Sequence, residues 1–151
     1  MTDKIEKEIE LRAPRSRVWR ALTTAQEFGA WFGVKLIGEF APKQEIKGNI
    51  TYKGMEHLTM TVTVERLEPE HTFSFRWNPY AIEPGVDYSK EEPTLVELTL
   101  RETANGTLLK VVESGFDRVP LARRAKAFAM NDQGWVEQMR QIGGYLQHAP
   151  E

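Results

Sequence analysis

Residues 120–146 read PLARRAKAFAMNDQGWVEQMRQIGGYL. Within this stretch Leu121, Ala125, Phe128, Asp132, Trp135, Met139, Ile142 and Leu146 recur at alternating steps of four and three. That spacing places side chains on one face of an α-helix and predicts a helix from about Pro120 to Leu146. Every position on the face is apolar except Asp132. Gly134, Gly143 and Gly144 weaken such a helix by about 1 kcal/mol each relative to alanine, so they mark close packing or bends.

Upstream the period is mostly two. Ile5, Ile9 and Leu11 alternate with Lys4, Glu6, Glu8, Glu10 and Arg12, with Lys7 falling on the apolar side. This is the pattern of a half-wet strand, stopped at Ala13-Pro14. Val18, Trp19 and Leu22 then follow at helical spacing, and Thr24-Ala25-Gln26-Glu27 fits a capping box for a second short helix that carries Phe28, Trp31 and Phe32 to Gly33. Alternation returns in Val34, Leu36 and Phe40, in Ile46, Ile50 and Tyr52, and in Leu58, Met60, Val62 and Val64. It continues through Phe73, Phe75 and Trp77, and through Val96, Leu98 and Leu100. Asn105-Gly106 signals a tight hairpin into a last strand from Thr107 to Glu113. About seven strands with one wet face imply an antiparallel sheet. Asn78 to Pro93 fits no period, and its length suits a lid or binding loop.

The chain has 151 residues, enough for one domain spanning 1–151 with a core of its own. Twenty basic side chains against 22 acidic ones leave no basic excess, which argues against a nucleic-acid partner. The chain has no cysteine, so disulfides, thiolate metal sites and cysteine nucleophiles are excluded. No apolar run approaches the roughly 20 residues that span a bilayer, and the first ten residues carry no apolar targeting core. A cytoplasmic protein without membrane insertion is the expectation.

One strand, two short helices, about six strands and one long helix give an α+β order. A twisted sheet with one apolar face must cover that face, and only the C-terminal helix is long enough. A curved sheet diverges from a straight rod, so an internal cavity is expected between them.

This order resembles the helix-grip fold of the START-like (SRPBCC) superfamily. Ala13-Pro14-Arg15-Ser16-Arg17-Val18-Trp19-Arg20-Ala21-Leu22, followed by Trp31-Phe32-Gly33, resembles the start of the heat-shock-protein ATPase activator homologue (AHSA-like) family. Glu113-Ser114-Gly115-Phe116 and Gly134-Trp135 with Leu146 resemble its end. The resemblance covers nearly the whole chain. It implies a single-domain member, most of whose relatives have no assigned activity, and it brings in a heat-shock ATPase and the stress response as an alternative partner and role.

Asp132 is either a hydrogen-bonding group lining the cavity or a residue that reaches solvent where the apolar stripe widens. Glu113 shares parity with Leu109 and Val111 and so points inward, with Lys110 on the wet side. Lys7 is its expected partner if the first and last strands pair, as the resemblance implies. Phe73, Phe75 and Trp77, with Phe128 and Trp135 expected opposite, form either a pocket wall or plain core. Arg123, Arg124 and Lys126 read as a solvated basic run, with docking of an acidic partner as the alternative. His57, His71 and His148 are scattered, and no metal, cofactor, phosphate loop or Ser-His-Asp grouping is expected.

The leading functional expectation is a binding module for a small apolar or amphipathic molecule, contacted by Met60, Phe73, Phe75, Trp77, Glu113, Phe128, Asp132 and Trp135. One alternative is an enzyme of the polyketide-cyclase or hydrolase type that uses Asp132 or Glu113 as acid or base. Carboxylates are present, but no nucleophile or second base stands at a recognisable spacing, so binding is favoured over catalysis. Another is a protein-interaction module for a heat-shock ATPase. Monomer and homodimer both stay open.

Overall fold

The alternating and helical stretches become, in the computed structural model, β1 (Lys4–Leu11), α1 (Arg15–Thr23), α2 (Ala25–Phe32), β2 (Val34–Ile37), β3 (Glu45–Ile50), β4 (Thr59–Glu68), β5 (Thr72–Trp77), β6 (Thr94–Thr103), β7 (Gly106–Ser114) and α3 (Leu121–His148). Short 3-10 turns lie at Tyr88–Lys90 and Phe116–Arg118. The structure describes residues 3–82 and 85–148; Glu83 and Pro84 of the expected loop lie outside the described residues. The strands form one antiparallel sheet in the order β1-β7-β6-β5-β4-β3-β2. The α+β helix-grip architecture expected from the sequence is therefore present, with α3 packed across β1 and against α2. No helix among the described residues is long and apolar enough to cross a membrane.

Local chemistry sets the register. The hairpin between β6 and β7 turns on Ala104-Asn105, with Gly106 already paired to Thr103, one residue earlier than the Asn-Gly signal implies. Gly106 is needed for a different reason. A Cβ there would lie 2.1 Å from the carbonyl oxygen of Leu11, so glycine permits β1 to close onto β7. In β4 the pairing shifts between Val64 and Arg66. This bulge returns Leu67 to the inner face beside Val64, where strict alternation would have turned it outward.

Two local expectations are corrected. Thr24 makes no side-chain cap at the start of α2. Glu39 instead approaches the Ala25 amide at 3.3 Å, and the Thr24 N–H that Glu27 would have accepted is bonded to the Arg20 carbonyl at 3.0 Å while Glu27 is occupied elsewhere. The first turn of α3 also departs from the predicted stripe: Leu121 is 79% exposed and Ala125 is exposed as well. A straight helix this long overshoots the sheet. The buried face begins at Ala127 and continues through Trp135, Gln138, Met139 and Ile142.

Aromatic side chains fill the space between sheet and helices. Phe28 sits at the centre, fully buried, with the rings of Trp31 and Phe32 each at 4.9 Å, Phe40 at 5.5 Å and Phe75 at 6.4 Å. Phe73 joins through Phe40 at 4.9 Å. Edge-to-face and offset contacts at such separations add to the area term of burial.

The three helices meet at Glu27, whose carboxylate takes Arg17 at 2.8 Å, Arg20 at 3.2 Å and the Tyr145 hydroxyl at 2.8 Å. Burial works to raise the Glu27 carboxyl. The hydrogen bonds from Tyr145 and Arg17 and the charges of Arg17 and Arg20 outweigh it and hold the group below the ordinary carboxylate range. A depressed folded value means that the stabilisation is present above the unfolded value, about 4.3, and is lost as pH falls through the folded one. In urea denaturation Glu27→Gln should therefore be less stable than the wild type near neutral pH, with the gap closing below about pH 4. A gap that stays constant across that range would contradict this account.

Candidate functional site

Glu113 lies on β7 opposite Ile5 of β1 and Val96 of β6, with no exposed surface. Its Oε2 accepts from the Trp77 indole N–H at 2.8 Å and from the Thr94 hydroxyl at 2.6 Å. Its Oε1 accepts from the Trp135 indole N–H at 2.8 Å. The Asn131 side-chain amide donates to both oxygens, at 2.9 and 3.1 Å. One carboxylate thus joins β5, β6, β7 and α3 through four neutral groups. A buried carboxylate needs such a donor set, and each buried indole N–H needs an acceptor.

Lys7 does not join this cluster, contrary to expectation. It pairs across β1–β7 with Val111, and its ammonium lies 3.0 Å from Asp132. Both side chains of that pair keep solvent contact, at 28% and 45% exposure. Asp132 therefore sits on the α3 flank above β1, in contact with solvent and outside the groove described below.

The expected contact set is dispersed. Phe73, Phe75 and Trp135 are buried in the ring-filled core. Phe128 packs on Phe116 at 5.1 Å. Glu113 is sealed behind its donors, and Asp132 is paired with Lys7. Met60 and Trp77 line an open space. That space is a groove of about 910 Å³ at the end of the sheet. Phe32, Ile50, Tyr52, Met60 and Trp77 form its inner wall, and Tyr80, Ile82, Val86 and Tyr88 from the Asn78–Pro93 loop form the other. It extends over the polar outer face of β3 to β5 at Lys47, Thr61 and Arg76.

Each wall has an identifiable support. Trp77 is fixed from behind by Glu113 and lies 5.8 Å from the Trp135 ring and 5.9 Å from Phe32. The Tyr52 hydroxyl donates to the Phe32 carbonyl at 2.7 Å, and the Gln138 amide donates to the same carbonyl at 3.0 Å. Gly33, at φ 95°, lets the chain turn there, where a Cβ would meet the Tyr52 ring at 2.5 Å. The loop is fastened by Arg123. Its guanidinium bonds Glu91 at 2.5 Å and the carbonyls of Pro79 and Tyr80 at 2.8 and 3.2 Å, and lies 4.8 Å from the Tyr88 ring centre. Arg123 is thus a clamp, not part of a solvated run. Lys126 stands over Tyr80 at 5.5 Å. Among the described residues no group of histidines and carboxylates is arranged to hold a metal ion.

Asn131, Thr94 and Arg123 were not singled out as site residues by sequence reasoning. The available signal was the pair of tryptophans on inward positions, each of which requires an acceptor. Replacing Glu113 by glutamine turns an acceptor into an NH2 that must face an indole N–H or the Thr94 hydroxyl. Glu113→Gln should cost about 1–3 kcal/mol in urea denaturation. Lys7→Met, which breaks a partly exposed pair, should cost less than about 1 kcal/mol. Equal losses would contradict this assignment of partners.

A search of the curated proteins found no match. Among solved structures, MLL2253 from Mesorhizobium loti is 22% identical, covers 98% of this chain and 99% of its own, and superposes with a TM-score of 0.76. The Aha1 dimer from Colwellia psychrerythraea is 17% identical over 100% of both chains, with a TM-score of 0.73. DynU16, a protein of the dynemicin biosynthetic locus, is 22% identical over 98% of this chain and 48% of its own, with a TM-score of 0.74. At these identities the likeness is one of fold. The family model described as Activator of Hsp90 ATPase homolog 1-like protein matches residues 12–147, and the chain belongs to that family.

Proposed function

We propose that this chain is a cytoplasmic binding protein for a small apolar or amphipathic molecule, held in the groove between Trp77 and the Asn78–Pro93 loop. The observation that carries this reading is the groove itself. Its volume falls in the roughly 300–1,000 Å³ of small-molecule sites, and aromatic side chains form both walls. Met60 and Trp77 would be contact residues. Phe73, Phe75, Phe128 and Trp135 would act behind them as packing, and Glu113 would act by fixing Trp77.

The arrangement favours binding over acid–base catalysis. All the donors around Glu113 are structural, and Asp132 lies outside the groove. A second reading, docking to a heat-shock ATPase, is favoured by family membership alone.

Native mass spectrometry of freshly purified protein, compared with the denatured mass, tests the first reading. The expected result is a small-molecule mass that disappears on denaturation and is reduced in a Met60→Trp variant, whose larger side chain narrows the groove beside Trp77. A titration with N-phenyl-1-naphthylamine, a neutral apolar fluorophore, should show the same difference between the two proteins. An apo mass together with no fluorophore binding would overturn the reading and leave the partner-docking one.

A further inference from the structure

The groove's charges are unevenly compensated. Its two cationic arms are both taken up: Arg76 lies 2.9 Å from Glu65, and Lys47 lies 3.6 Å from Glu45. Each therefore has an anionic partner within the protein. The negative side is different. Glu91 is matched by Arg123, whereas among the described residues Asp87 is bonded by Ser89 alone, at 2.5 and 3.0 Å. Glu113, behind the wall, is bonded among the described residues by neutral donors alone.

An indole that donates its N–H to a carboxylate gains electron density on its face, and Trp is the ring that best attracts a cation. Trp77 is such an indole, and it is the one of Glu113's two that borders the groove. Tyr52, Tyr80 and Tyr88 stand around the same space. Two of these rings already hold cations of the protein on one side, Arg123 over Tyr88 and Lys126 over Tyr80. Among the described residues that line the groove, the Lys and Arg side chains, Lys47 and Arg76, each have a carboxylate partner.

We propose that the groove selects an organic cation, a quaternary or aromatic ammonium compound, whose charge sits over Trp77 with Glu113 as the buried counter-charge. The proposal rests on the groove being the binding site and adds the ligand's charge.

Three isosteric probes separate the two ideas: benzyltrimethylammonium, the neutral neopentylbenzene and the anionic benzylsulfonate. Binding is followed by NMR at the Met60 and Ile82 methyl groups of the full chain, which line the groove and are present in every variant. The cation should bind about tenfold more tightly than the neutral isostere, and the anion most weakly. Trp77→Leu should remove most of that preference while keeping binding of the neutral probe. Because Trp77→Leu also takes a donor from Glu113 and can fail to fold, Tyr80→Leu, whose ring makes no bond to Glu113, should weaken the cation severalfold more than the neutral probe. Equal or tighter binding of neopentylbenzene or benzylsulfonate would overturn the cation proposal and leave the groove reading standing. No binding of any probe would overturn both.

Discussion

The structure depends on one buried carboxylate. Glu113 has no exposed surface and no cation beside it among the described residues. Removing an isolated carboxylate from water is prohibitive unless its oxygens are met by donors. Meeting them required two tryptophans, a threonine and an asparagine from three further elements to converge on one point of β7. That requirement fixes where α3 lies along the sheet, and it fixes the orientation of Trp77. The indole N–H is directed at Glu113, and the ring, 5.8 Å from that of Trp135, stands as part of the groove wall.

A filled interior follows from the same packing. A curved sheet and a straight helix leave space between them, and here Phe28, Phe32, Phe40, Phe73 and Phe75 occupy it. The open volume is displaced to the end of the sheet, where β3, β4 and β5 give way to long connections. There Asn78 bonds the Glu91 carbonyl across the loop at 3.2 Å. Arg123 supplies the fastening through a carboxylate, two carbonyls and a tyrosine face. The exposed first turn of α3 is the corollary. The helix extends past the sheet far enough to reach the loop, leaving Leu121 in solvent.

Most of the architecture was legible in the sequence. Period-two and period-3.6 spacings report which face of an element is buried, and that is what the strands and α3 obey. The site was less legible because it depends on partners distant in the chain. The parity of β7 correctly turned Glu113 inward, yet it could not show that its donors come from β5, β6 and α3 instead of β1. Lys7 was on the inward face as read, but Asp132 reached it first. Arg123 looked like one cation in a solvated run, since nothing local reveals a loop folded back against it. The capping box failed for a similar reason: Glu27 was claimed by Arg17 and Tyr145.

The central claim is that ligands meet this protein at Trp77 and not inside the sheet–helix interior. It is tested most directly by fluorine NMR of protein carrying 5-fluorotryptophan at its four tryptophans, titrated with N-phenyl-1-naphthylamine. The account predicts that the Trp77 resonance moves most, Trp135 moves slightly through its ring contact, and Trp19 and Trp31 stay in place. A response led by Trp31 or Trp135 with Trp77 unmoved would mean that the interior opens to ligand, and would contradict the account.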